Sequence, residues 1–266
     1  PCNHYGKTPP CTKEIIKNKI SKIIYSVEDV DEKVKGKSLK ILKSKNMIVK
    51  KGLHYERIIN FYKPYFFNRK NKMPYVTGKI AVSKNNLIFN KGIKRITDIH
   101  SDKLTHFLRY KNDSLMISYK TLNEDNPRLD CRIEGLGKFS PKRIILDNKL
   151  DMNTNSYIFR TANNVNTIIF YNKAEKTKIL IFEKKGIQLI KSNLFKNGNF
   201  DIKLILKKLY KLGCRNLLVE GGNNLSKSII KNKLFNQFYV FKSPNNLSKL
   251  VAYKDFNCFK ELSQKY

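Results

Sequence analysis

Three stretches of this sequence combine residue types at spacings that can do chemistry. Near the start, Cys2 and Cys11 lie in Pro-Cys-Asn-His-Tyr-Gly-Lys-Thr-Pro-Pro-Cys, beside residues that open a helix. A helix N-terminus lowers a thiol's pKa and zinc takes thiolates readily, so the pair could form part of a soft-metal site. By spacing alone, coincidence explains two cysteines equally well. Far along the chain, Leu218-Val219-Glu220-Gly221-Gly222-Asn223-Asn224-Leu225 runs from a strand through two glycines into a helix. Glycines let the backbone approach a phosphate, and the free N–H groups and dipole of a helix favour an anion. The third stretch is Lys120-Thr121-Leu122-Asn123-Glu124-Asp125-Asn126-Pro127-Arg128-Leu129-Asp130-Cys131-Arg132. A capped helix ending at Pro127 and followed by a turn would explain Asp125-Asn126-Pro127. It would not explain Thr121, Leu129 and Arg132 at their offsets.

The elements that must position these residues alternate between helix and strand. Thr12 can cap a helix through Glu14, Ile15, Ile16 and Ile20, and Ile23-Ile24-Tyr25 reads as a short buried strand. A polar loop from Glu28 to Lys37 leads to a helix over Leu39, Ile41 and Leu42 and a strand at Met47-Ile48-Val49. His54 to Asn68 reads as a connector helix interrupted by Pro64, with Phe61, Tyr65, Phe66 and Phe67 burying one side. The polar stretch Asn68 to Lys72 sets a boundary between a first domain, residues 1–72, and a second, residues 73–266. In the second, strands are expected at Pro74 to Val82, Leu115 to Ile117, Arg143 to Leu146, Tyr157 to Phe159, Thr167 to Phe170, Ile179 to Phe182, Asn216 to Val219 and Phe235 to Phe241. Helices are expected at Ser101 to Tyr110, Asp201 to Leu212 and Leu225 to Lys231. Such alternation specifies an α/β protein built around one sheet.

Composition excludes several classes. A chain of 266 residues, 41% hydrophobic, holds enough apolar residues for two modest cores. No apolar run approaches the ~18 residues that span a bilayer. The formal net charge of +33 alone suggests nucleic acid. The lysines, however, are spread along the whole chain with abundant Asn and Ile, and few of the basic residues are Arg, whereas base readout leans on Arg and stacked aromatics. Nucleic acid is therefore set aside, and the basic balance is read as suiting an anionic, phosphorylated substrate. Five cysteines, an odd count without a secretory signal, argue against a disulfide framework and for a reducing cytoplasm. The chain opens on Pro1-Cys2 rather than Met, which reads as a start inside a longer protein.

Taken together, the motifs resemble the bifunctional riboflavin-biosynthesis deaminase–reductase (RibD) family. Four segments carry the reductase resemblance in the family's order, over most of residues 74–241. Pro74 to Ser83 looks like the opening strand under the nicotinamide, which places Val82 at the cofactor. Arg95-Ile96-Thr97 stands where the family has Trp-Ile-Thr, with Ile93 where a substrate-contacting Ser would lie; Leu108-Arg109 follows at the expected distance. Lys120 to Arg132 resembles Thr-Val-x-x-Asp-Asn/Asp-Pro-x-Leu-x-x-Arg. The Glu220-Gly221-Gly222 turn with Leu225 resembles the family's cofactor loop. The resemblance implies a dihydrofolate-reductase-like fold binding NADPH. Val82, Arg95, Thr121, Asp125, Asn148, Gly222, Asn223, Asn224, Leu225, Ser226, Lys227 and Ser228 would contact the cofactor. Arg109, Leu129, Arg132 and Glu220 would contact the substrate, with a guanidinium suited to its phosphate. The implied reaction is reduction of 5-amino-6-(5-phosphoribosylamino)uracil to its ribitylamino product, mainly by positioning, with Glu220 as a polar helper. A homodimer is implied.

The Pro-Cys string resembles the zinc loop of the same family's deaminase, with Cys2 and Cys11 as metal ligands, and Val34-x-Gly36 fits that loop too. That implies the C-terminal part of a cytidine-deaminase-like α/β domain. The family's third ligand and catalytic Glu come from a His-x-Glu upstream of the string. His54-Tyr55-Glu56 lies downstream, in the wrong order, and reads as a solvated helix start. The 266 residues alone are therefore not expected to deaminate, and zinc is expected only where that upstream His is present. Two other readings stay open: a reductase of a related pyrimidine or pterin on the same fold, and a non-catalytic, basic nucleic-acid-binding remnant.

Overall fold

The computed structural model describes residues 1–32, 34–90, 96–163, 166–248, 253–256, 258, 259 and 262. Ile93 and Arg95, both singled out above, lie outside them. The chain divides into two compact units, Pro1–Met73 and Pro74–Tyr266.

The first unit orders α1 (Cys11–Lys17), β1 (Lys22–Tyr25), α2 (Lys37–Ser44), β2 (Ile48–Lys51) and α3 (Tyr55–Asn71). β1 and β2 pair in parallel, from Lys22↔Ile48 to Tyr25↔Lys51, with α2 as the crossover between them. Leu42 on α2 is fully buried. Three local expectations are corrected. Thr12 does not cap α1 but lies buried inside it; Pro10, whose φ of −59° already suits a helix, precedes the first turn. The strand at Ile23 to Tyr25 is not buried, because a two-stranded sheet is covered on one side only, and Ile24 is 51% exposed. α3 continues through Pro64 to Asn71, giving up one backbone donor without breaking, and Phe61 points to solvent while Tyr65, Phe66 and Phe67 are half-buried.

The second unit is built on one seven-stranded sheet in the order β10-β3-β9-β5-β6-β7-β8. These strands are β3 (Tyr75–Val82), β5 (Ser114–Ser118), β6 (Lys142–Leu146), β7 (Thr167–Tyr171), β8 (Gln188–Lys191), β9 (Asn216–Val219) and β10 (Gln237–Lys242). Every neighbouring pair is parallel. A parallel sheet is covered on both faces, which is why Leu115 to Ile117, Ile144 to Leu146 and Ile168 to Phe170 are buried apolar runs rather than alternating ones. A separate antiparallel pair joins β4 (Leu87–Asn90) to β11 (Tyr253–Asp255). The crossover helices are α4 (Ile99–Lys111), α5 (Tyr119–Asp125), α6 (Tyr157–Arg160), α7 (Lys176–Lys184), α8 (Ile202–Lys211) and α9 (Asn223–Lys231).

Two expected strands are helices. Tyr157 to Phe159 forms α6 because Ser156 accepts a hydrogen bond from Phe159 N and caps the turn. Ile179 to Phe182 lies in α7, where only Phe182 is buried while Leu180 and Ile181 face outward. A short apolar run does not distinguish helix from strand by its period. The strand that pairs with β7 there is β8, which sequence reading missed.

The strand order matters for function. The connection after β5 moves toward β6 through α5, while the connection after β9 moves toward β10 through α9. Right-handed crossovers running in opposite directions place their helices on opposite faces of the sheet. The C-terminal ends of β5 and β9 therefore border the crevice where ligands bind in parallel α/β sheets.

Candidate functional site

The carboxyl edge of four adjacent strands, β3, β9, β5 and β6, gathers most of the residues singled out above. Glu220 follows β9 and its N–H bonds Met116 O on β5 at 3.2 Å. Its carboxylate receives a two-pronged grip from α4: Arg109 Nε donates to Oε1 at 2.7 Å and Nη2 to Oε2 at 2.8 Å. The side chains are 11% and 14% exposed, so the pair is shielded from water. A third donor, Arg109 Nη1, reaches Asp130 O at 3.1 Å. Among the described residues, this leaves Arg109 one N–H on each terminal nitrogen for an anion.

The charges of this corner are mutually adjusted. Burial pushes the Glu220 carboxyl up, but the charge and hydrogen bonds of Arg109, with help from Lys79 and His106, hold it below its ordinary value. Arg109 is raised: burial opposes its charge, and Glu220 more than compensates. Lys79 on β3 is lowered, first by burial and also by the Arg109 charge. It stands one residue beyond the register pair Gly78↔Val219, beside the start of Glu220, and its ammonium lies over the Phe241 ring at 5.2 Å. Sequence reading missed Lys79. The available signal was a lone cation inside an otherwise buried strand.

The Lys120 to Arg132 segment supplies the next wall. Ser118 caps α5 by accepting from Thr121 N at 3.3 Å, and its hydroxyl lies 3.2 Å from Thr121 Oγ1. Asp125 is the exposed last residue of α5, and Asn126 ends the helix in the left-handed region. Leu129 is buried and also has a positive φ of 58°, a conformation that costs a non-glycine residue about 1–3 kcal/mol. The strained backbone sends Asp130 O toward α4 and leaves Arg132 on the surface. Arg132 binds His106, a second residue absent from the sequence-level site.

The Gly221-Gly222 turn and the start of α9 form the next part of the edge. α9 starts on Gly222 without a side-chain cap, and Asn223 Oδ1 is buried with no hydrogen-bond partner among the described residues. A Cβ on Gly222 would stand 3.5 Å from Thr121 Oγ1, so the missing side chain opens the space between the two loops. Leu225 and Ser226 are buried, Lys227 and Ser228 half-buried one turn in, and Asn224 exposed. Val82 closes β3, and its carbonyl is taken by Ser243 N at 2.8 Å. Asn148 is half-buried after β6, and its carbonyl accepts from Asn172 N and Lys173 N. An anion fits this edge: it offers free helix amides and a surface without a side chain. The orphaned Asn223 oxygen fits a hydroxyl donor.

In the other unit, Cys2 Sγ and Cys11 Sγ lie 3.4 Å apart, with Cys11 N donating to Cys2 Sγ at 3.4 Å. Hydrogen bonding with Cys2, backbone then side chain, holds the Cys11 thiol below its ordinary value. Two thiolates on one tetrahedral zinc stand roughly 3.8 Å apart, given Zn–S bonds of about 2.3 Å. The pair therefore suits half of a zinc site, but no group of three ligating residues exists among the described residues. His54 and Glu56 are exposed at the start of α3. Among the described residues, no helix is long and apolar enough to cross a membrane.

The family model described as the RibD C-terminal domain matches residues 75–247. The riboflavin biosynthesis protein RibD of Aquifex aeolicus is 30% identical over 257 residues, covering 96% of this chain and 70% of that protein. Among solved structures, Acinetobacter baumannii RibD superposes with a TM-score of 0.80 at 21% identity, over 94% of this chain and 68% of that one. A diaminohydroxyphosphoribosylaminopyrimidine deaminase/5-amino-6-(5-phosphoribosylamino)uracil reductase from Thermotoga maritima gives 0.78 at 24% identity, over 96% and 68%. At these identities the likeness to the two structures is one of fold.

Proposed function

The chain belongs to the RibD family of riboflavin biosynthesis and carries its reductase domain, and from that premise we propose that Pro74–Tyr266 reduces 5-amino-6-(5-phosphoribosylamino)uracil with NADPH. The observation that carries the proposal is the juxtaposition, at one sheet edge, of an uncapped glycine-opened helix and a shielded Arg109–Glu220 pair.

When bound, NADPH would supply the hydride for the ribosyl C1′, with the C1′–O4′ bond opening and O4′ taking a proton. The chain's own residues bind and orient. The α9 amides from Gly222 onward, with Thr121 across the gap, would hold the cofactor's phosphates. Asn223 Oδ1 accepts from a sugar hydroxyl. Arg132 and the two spare N–H groups of Arg109 meet the substrate's phosphate. Glu220, with both oxygens bound by Arg109, is held ionised and cannot act as an acid. Its work is to fix Arg109 and to balance the charge of Lys79. Lys79, whose burial eases loss of its proton and which lies near Glu220, is read as the donor of the proton to O4′.

The unit Pro1–Met73 is read as the C-terminal part of the zinc deaminase domain, contributing Cys2 and Cys11 as two of its ligands. Five cysteines outside any disulfide suit a cytoplasmic setting.

The test is turnover. Purified chain given NADPH and the phosphoribosylamino substrate should oxidise NADPH and yield the ribitylamino product. Oxidation with dihydrofolate but not with this substrate would contradict the proposal.

A further inference from the structure

His106 is committed to Arg132 in a way the reductase reading does not require. It sits on α4 one turn before Arg109, on the same face. Arg132 Nε lies 3.2 Å from His106 Nε2, and Arg132 Nη2 lies 3.1 Å from the same atom. A guanidinium only donates, so Nε2 must be the unprotonated nitrogen. In a neutral ring the proton is then on Nδ1, which donates to Asp130 O at 3.1 Å. Arg132 N also lies 3.2 Å from Nδ1, but that nitrogen has no free lone pair in this tautomer. Asp130 O is the same carbonyl that Arg109 Nη1 reaches. The Asp130 carbonyl, reached by Arg109 and His106, and the imidazole, reached by Arg132, thus tie the 130–132 loop to α4.

We propose that His106 is a positioning residue for the reductase: as a neutral acceptor it orients the Arg132 guanidinium beside Arg109 for the substrate's phosphate. The inference rests on the reading that Arg132 meets that phosphate. Apart from His106, Arg132 has a 3.8 Å ion pair with Asp130 but is an exposed side chain, and fixing its orientation removes entropy that binding would have to supply. An imidazolium would turn an N–H toward two guanidinium N–H groups and release Arg132. The charged groups facing His106 are Arg109 on its own helix, Asp130 and Arg132 from the following loop, and Glu220 from the end of β9. Burial, then Arg109 and Arg132, hold the imidazole below its ordinary pKa, so it is neutral at neutral pH.

The experiment compares KM and kcat for the phosphorylated substrate and its dephosphorylated form in wild type, His106→Ala, His106→Gln and Arg132→Ala. Arg132→Ala should lose the preference for the phosphorylated form. His106→Ala should raise KM for that form about five- to tenfold, with the loss falling on KM rather than kcat. His106→Gln, which keeps an acceptor, should recover most of it. As pH falls, the wild-type KM should rise through the lowered imidazole pKa, and this step should be missing in His106→Gln. The substrate phosphate's own ionisation, near about 6, remains in both. If Arg132→Ala loses the phosphate preference while His106→Ala moves neither KM, the inference is overturned and the phosphate reading stands. A KM profile of His106→Gln that matches wild type at every pH, with only the phosphate step that both share, also overturns it. If Arg132→Ala keeps the preference, the phosphate reading itself has failed.

Discussion

The two units treat their functional residues differently. In Pro1–Met73, a two-stranded sheet leaves Ile24, Ile48 and Phe61 exposed, and its chemistry is two sulfurs near the chain's start. In Pro74–Tyr266, seven strands bury a continuous core, and four of them present their carboxyl ends to one crevice. A site needs several elements to hold its groups at fixed distances. The larger unit supplies them from β3, α4, α5, β9 and α9, whereas the smaller holds an incomplete donor set. Substitutions that break this contrast should act strongly at the sheet edge and weakly at the sulfurs.

The largest effect is expected at the Arg109–Glu220 pair. Glu220→Ala leaves a shielded guanidinium unpaired and should cost about 3–5 kcal/mol in urea unfolding, together with activity. The pair also sets a pH dependence. Because the folded Glu220 carboxyl is below its unfolded value, its contribution is complete above the ordinary carboxylate range. It is lost as pH falls through the lowered folded value. An acid titration of wild type should show this loss, and Glu220→Gln should lack it.

Next comes Gly78→Ala. An added Cβ would collide with the rings of Phe238 and Phe235, which pack edge-to-face against each other. Overpacking of this kind costs about 1–3 kcal/mol, readable as a lowered Tm. Gly222→Ala should separate stability from binding. Its φ of −68° suits any residue, and its Cβ would meet Thr121 at an ordinary contact distance. Stability should stay within about 0.5 kcal/mol, while KM for NADPH rises because the new methyl occupies the gap between the loops. The smallest effect belongs to Cys2→Ser with Cys11→Ser, which should leave reductase turnover unchanged in the same assay.

Much of this contrast was legible in the residues themselves. The Thr121 to Arg132 offsets and the Glu220-Gly221-Gly222 turn describe local backbone features, and local features survive in a sequence. The helix expected at Asp201 to Leu212 was readable for the same reason, since its cap, Asp201, and the positive-φ Gly213 just beyond it are local features. Lys79 was not, because its meaning depends on β3 lying beside β9, a pairing between segments far apart in the chain. His106 likewise acquires its role only through a backbone turn at Leu129 whose positive φ no leucine announces. The helices α6 and α7 were misread because β-branched and aromatic residues favour strands on average, while caps and one-sided burial decided the outcome here.

The most direct test of the central claim is the fate of the transferred hydrogen. NADPH carrying deuterium at the reactive nicotinamide carbon, incubated with this chain and 5-amino-6-(5-phosphoribosylamino)uracil, should give a ribitylamino product with one deuterium at C1′. A product without deuterium at C1′, or no product while NADPH and substrate both bind, would contradict it.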